Sequence, residues 1–192
     1  LANKISVLFF VYIISDLKSM VCVSIAFSLS KIAMTILSSI NHVYSPVIAS
    51  NVNKSSKKKS ITFNNMRIIS LIMTTTALVL FILIGEDVIL FFYTKEYIES
   101  LRLTLILLSG QLIHSIFNPY IIHLKLIGKA IQISRLKLVF TILMVITNYF
   151  LYDIFGIDLI AFSYVFFIYI LWNIFVLLSF KLQNNRAHSS IG

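Results

Sequence analysis

Lys31 is the side chain whose position most demands a chemical role. It stands in the middle of an apolar run reaching from about residue 20 to residue 49, too far from either end to snorkel easily to water. An ionisable group at that depth in a bilayer faces a bundle interior or an aqueous cavity. Wound as a helix at about 100° per residue, the run gathers Ser24, Ser28, Lys31, Thr35, Ser38, His42 and Ser45 into a sector of roughly 100°. Leu29, Ala33, Ile36 and Ile40 take the opposite face. Such a stripe has two readings: a water-lined path for a polar or anionic solute, or hydroxyl glue for helix–helix packing.

A second, weaker polar face lies further along. Gln111, His114 and Asn118 fall within roughly 60° of one another on a helix and are followed by Pro119. Pro46 likewise follows Asn41, His42 and Ser45. Helix breaks at such prolines can open backbone groups to a substrate path, or they can be ordinary transmembrane kinks. Asn148 and Asn173 each place one amide in a later apolar run, where an interhelical hydrogen bond is the default. The candidate substrate-path residues are therefore Lys31, Ser28, Thr35, Ser38, His42, Gln111, His114 and Asn118.

Nothing here makes a catalytic constellation. The chain has no glycine-rich phosphate loop and no intramembrane carboxylate, and His42, His114, His123 and His188 lack metal-ligand spacing. A Ser–His–acid arrangement would have to borrow its acid from a loop. No enzyme activity, metal or cofactor is expected.

The elements that carry these residues follow from composition. Hydrophobic residues make up 59% of the chain and charged residues 12%, and the mean hydropathy is +0.96. A soluble domain of 192 residues has neither the interior for so much apolar surface nor so little charge outside. Five glycines and two prolines exclude a turn-rich all-β protein, and continuous rather than alternating apolar runs argue against a membrane barrel. The predicted fold is all-α, a polytopic integral membrane protein with a bundle of about six transmembrane helices, one unit over 1–182 with a short tail at 183–192. The apolar stretches are about 5–15, 20–49, 68–84, 101–124, 138–155 and 159–180, each of the later ones near the roughly 20 residues a crossing needs. Polar connections are expected at 16–19, 51–67, 85–100, 125–137 and 156–158. The first stretch is too short to cross alone and no initiator Met precedes it, so a truncated start with earlier helices missing is expected. No secretory signal is recognisable there. The one cysteine, Cys22, has no partner for an internal disulfide.

Charge sorts these connections into two sets. Lys4, Lys54, Lys57, Lys58, Lys59, Arg67, Lys125, Lys129, Arg135, Lys137, Lys181 and Arg186 occupy one set without a single acid. The alternate set holds Asp16, Glu86, Asp87, Glu96, Glu99, Asp153 and Asp158, with Lys18, Lys95 and Arg102 as its only bases. Under the positive-inside rule the basic set is cytoplasmic, so both ends of the chain are expected at the cytoplasmic face of the membrane. The net charge of +9 then reads as topology rather than as a nucleic-acid surface. Lys57–Lys59 serves either as that topology signal or as a site for anionic lipid or phosphate.

Four stretches carry a resemblance: VSIAFSLSKI with SSINHVYSPVIASN, LILLSGQLIHSIFNPYIIHLKLIGKA, and FGIDLIAFSYVFFIYILWN. Over about residues 20–180 the chain resembles the C-terminal half of the polysaccharide-repeat flippases. These are the O-antigen and capsule branch of the multidrug/oligosaccharidyl-lipid/polysaccharide exporter superfamily. After Phe155-Gly156 the pattern departs, with Asp158, Leu159 and Ile160 where a second glycine and small residues are expected. The resemblance implies two six-helix bundles facing a central cavity, of which this chain is the second. It implies lipid-pyrophosphate-linked oligosaccharide as cargo, membrane lipids and polysaccharide polymerase and assembly proteins as partners, and alternating access without covalent chemistry. A cation such as Lys31 suits a pyrophosphate that must cross a low-dielectric region. Three other readings stand beside it. One is a drug or cation exporter of the same superfamily, which would use a buried carboxylate that this chain lacks. Another is a membrane enzyme acting on lipid-linked sugars, which would need a larger outer loop. The third is a structural subunit without transport of its own.

Overall fold

The computed structural model describes residues 16–51 and 56–189, with side chains over 16–50 and 60–182. The expected stretch 5–15, Lys4, Lys54 and the side chains of Lys57–Lys59 and Arg186 lie outside what is described. All described elements are helical, with no strand among the described residues. Helix α1 runs Leu17–Asn51, α2 Ser56–Phe92, α3 Glu99–Leu124, α4 Ala130–Phe155, α5 Asp158–Tyr164 and α6 Trp172–Ser189. A single 3-10 turn, Lys95–Tyr97, precedes α3, and a wide-turned π-helical segment, Val165–Leu171, joins α5 to α6 without a break.

Four helical stretches are long and apolar enough to cross a membrane: Leu17–Ser50, Ser60–Phe92, Glu99–Phe155 and Asp158–Leu182. The third would be about 85 Å long if straight, nearly three times the hydrocarbon thickness. It reverses instead. Ile127 leaves helical geometry with ψ at 20°, and Gly128 takes φ 84°, ψ 6°, a left-handed conformation that glycine adopts without Cβ strain. The reversal is verified at the far end, where Arg102 in the first turns of α3 pairs with Asp158, just past the end of α4, at 2.8 Å. The second turn, at Gly156 with φ 64° and ψ −153°, sits in a region open essentially to glycine alone.

Helix starts gather acid, as the positive end of the helix dipole favours. Asp16 caps α1: its carboxylate accepts from the Ser19 amide at 3.0 Å, the Ser19 hydroxyl at 2.9 Å and the Lys18 amide at 3.3 Å. The Ser19 amide bond first, then its hydroxyl, hold this carboxyl below its usual value of 3.8. Glu99 and Asp158 occupy the first turns of α3 and α5. Asp16, Glu99, Asp153 and Asp158 thus collect at one end of the bundle. Lys125, Lys129 and Lys181 lie past the aromatic group Phe63, Tyr120, His123 and Phe180 at the other. The two charge classes read from sequence are therefore two physical ends.

Two helices outrun their expected bounds. The connection placed at 51–67 is helical from Ser56, because Phe63 and the fully buried Met66 pack against Ile48 and Ile122. The connection placed at 85–100 is helical to Phe92, and Gly85 on that added stretch lets α2 approach Leu101 of α3 closely. The 125–137 connection shrinks to Lys125–Lys129, and that moves Arg135 and Lys137 onto α4. The main core lies between α1, α3, α4 and the last helix, around Cys22, Ala26, Leu107, Met144, Ile160 and Val176. Ile72, Leu83, Ile142 and Phe150 are among the large apolar side chains left on the outside, the pattern of a lipid-facing surface rather than a wetted one.

Candidate functional site

α1 packs through small and apolar residues, Cys22, Val23, Ala26, Ala33 and Leu37, against α3 and α2. That choice of face turns the polar stripe outward. Ser24, Ser28, Lys31, Thr35, Ser38 and His42 are all exposed on the bundle surface, and Ser45 is half-buried. Lys31 is 14 residues into the helix, about 20 Å along it. Hydroxyls along the stripe satisfy themselves on their own helix: Thr35 donates to the Lys31 carbonyl at 3.0 Å and Ser45 to the Asn41 carbonyl at 2.6 Å. An ammonium has no such option, and among the described residues no carboxylate pairs with Lys31. The exposed arc of α1 is divided lengthwise. Ile32 and Val43, 62% and 66% exposed, lie beside the stripe and form its apolar border.

The α3 trio stands elsewhere and does different work. Gln111, only 1% exposed, donates its amide to the Ser30 carbonyl of α1 at 2.8 Å. Asn118 donates to the Asn41 side chain of α1. His114 is half-buried. Its Nδ1 lies 3.1 Å from the Asn173 amide nitrogen, and its ring stacks on Trp172 at 5.7 Å. The shared face predicted for these three residues exists, but it joins α3 to α1 on one flank and to α6 on the other. Lys31, Ser28, Thr35, Ser38 and His42 share one exposed face of α1; Gln111, His114 and Asn118 form an internal seam apart from it. Asn148 donates to the Ser163 hydroxyl at 2.7 Å, and Asn173 reaches His114, so both later amides bridge helices. The small contact of Thr74 with Ser115 at 3.5 Å closes α2 on α3 in the same way.

One feature escaped the sequence reading. Lys137, placed there in a connection, stands on α4 with its ammonium 5.3 Å from the Trp172 ring centre. Its signal was the apolar pair Leu136 and Leu138 on either side, which continue a helix pattern rather than a loop.

Chemically, the α1 stripe offers one cation and several hydroxyl donors and acceptors along a path of about three to four helical turns. That suits an anionic group followed by hydroxyl-bearing solute. It offers no general acid–base pair and no activated nucleophile. Among the described residues no three His, Cys, Asp or Glu side chains converge as metal ligands. No family model, curated protein or solved structure matches the chain.

Proposed function

We propose that the chain is the second bundle of a transporter that moves lipid-linked oligosaccharide across the bacterial cytoplasmic membrane by alternating access. The two arms of Glu99–Phe155 and the other three stretches would make five crossings, and the short apolar run at 5–15 would belong to a further one, giving about six. The basic end would be cytoplasmic under the positive-inside rule. The observation that carries the reading is the exposed stripe around Lys31. A lone ammonium in mid-membrane and on the outside of its own bundle is costly against lipid. It becomes favourable when a second bundle closes over it and leaves water and an anionic cargo between. Hydroxyls then serve the sugar portion, while Ile32 and Val43 border the lipid. The same geometry disfavours a cation exporter, because no described carboxylate lies along the stripe.

The test is complementation, with the full transporter, of a strain lacking its own flippase. Lys31→Gln should express and insert at least as well as the parent, and transport should fall about tenfold, as loss of one anion contact of about 1.4 kcal/mol gives. Lys31→Arg retains part of the activity, since the charge stays while its geometry changes. Full transport by well-expressed Lys31→Gln removes Lys31 from the path.

A further inference from the structure

The basic end of the bundle contains a half-buried cation that the transport reading does not use. Lys137 sits seven residues into α4, about 10 Å from its start, and its ammonium lies over the Trp172 ring at 5.3 Å. The indole is held in place, only 5% exposed, with its N–H donating to the Ile133 carbonyl at 3.3 Å and with His114 stacked on it. Exposed Lys125 is near enough to act on both Lys137 and His114 through its charge. Two lysines, Lys137 over the Trp172 ring and exposed Lys125 near it, therefore stand between α3, α4 and α6 with no counter-charge among the described residues. From Leu103 to Tyr152, and again after Asp158, the chain carries no Asp or Glu, and the described acids of these helices sit at the opposite end. A ring face attracts a cation modestly and leaves the ammonium's hydrogen-bond donors unserved.

We infer that the junction of α3, α4 and α6 binds the phosphate group of an anionic lipid, with half-buried Lys137 beside Trp172 as the inner contact and exposed Lys125 as the outer one. Basic side chains between transmembrane helices recruit phosphate headgroups. The site lies on a different face from Lys31 and depends only on the bundle standing in a bilayer.

Trp172 is the only tryptophan of the chain, so its emission reports this site alone. The purified protein is placed in nanodiscs with either brominated phosphatidylglycerol or brominated phosphatidylcholine. The anionic lipid should quench Trp172 about fivefold more effectively at equal mole fraction, as one basic side chain at an anionic surface gives. Lys137→Gln should abolish that preference, and Lys125→Gln, at an exposed position, should reduce it. Competition with unbrominated lipids then identifies the source. Greater relief of quenching by a polyprenyl diphosphate than by phosphatidylglycerol assigns the phosphate to a lipid-linked cargo, and equal relief assigns it to leaflet phospholipid. Equal quenching by the two brominated lipids overturns the site, as does an anionic preference that survives Lys137→Gln. Should that variant fail to fold, an unaltered preference in Lys125→Gln overturns it as well.

Discussion

At Gly110 α3 lies close against the Val165–Leu171 segment, and substitution there tests the packing of the whole bundle. A Cβ at this position would meet the Tyr169 ring and lie 2.7 Å from a Val165 methyl. Tyr169 is 3% exposed and built into the core, so the ring has nowhere to go. Overpacking of a closed site costs about 1–3 kcal/mol, and a rigid aromatic neighbour puts Gly110→Ala near the upper end. The helix preference of Ala over Gly returns up to about 1 kcal/mol, leaving a net loss of about 2 kcal/mol. Gly85 makes the comparison sharp. Its Cβ would lie 2.8 Å from a Leu101 methyl and 3.0 Å from the Phe81 ring. Both of those side chains are only half-buried and can swing aside. Gly85→Ala should therefore be close to neutral. Reversible unfolding in mixed micelles with increasing SDS measures both. A Gly110→Ala variant as stable as the parent, or one less affected than Gly85→Ala, would refute the close approach of α3 to the last helix.

The Asn148–Ser163 bond should give a coupling of about 0.6 kcal/mol, and not above about 1.7, in a double-mutant cycle with Asn148→Leu and Ser163→Ala read by the same unfolding assay. Because folding lowers the Asp16 carboxyl below its ordinary 3.8, its capping is fully present above that value and is lost as pH falls through the lower folded one. The protection of the Lys18 and Ser19 amides, taken relative to their intrinsic exchange rates at each pH, should therefore fall in acid in the parent. In Asp16→Ala those amides should already exchange fast at pH 7, and equal protection in both proteins would remove the cap. Single cysteines at Gln132 and Lys95, exposed at the basic and acidic ends, should be labelled from opposite sides of the membrane, Gln132 from the cytoplasm.

Much of this architecture was legible because hydropathy and helix length act on the same scale. The expected 20–49 run is α1, Leu17–Asn51, and the alternation of charge became two ends of one bundle. The misses have a common cause. Hydropathy marks where a helix meets lipid, not where its hydrogen bonding stops, so the polar starts and ends of α2 were read as connections although Thr62, Phe63 and Met66 are buried there. The same limit applies to the site. Polar residues on a membrane helix look alike whether they face a partner helix or a water path. The stripe around Lys31 and the trio of Gln111, His114 and Asn118 separated only when Ala33 and Leu37 turned one outward and Ser30, Asn41 and Asn173 took up the other.

Whether water reaches the exposed stripe of α1 is the question on which the transport proposal stands. In a Cys22→Ala background of the full transporter in native membranes, single cysteines at Ser28, Thr35 and Ser38 are compared with Ile32 and Val43. All five positions are exposed on the bundle, and only the first three are polar. A small membrane-impermeant thiol reagent should label Ser28, Thr35 and Ser38 and leave Ile32 and Val43 unreacted, because a maleimide needs a hydrated thiolate and lipid supplies none. Uniform inertness along the helix would return the hydroxyls to plain helix packing and remove the path on which the proposed transport depends.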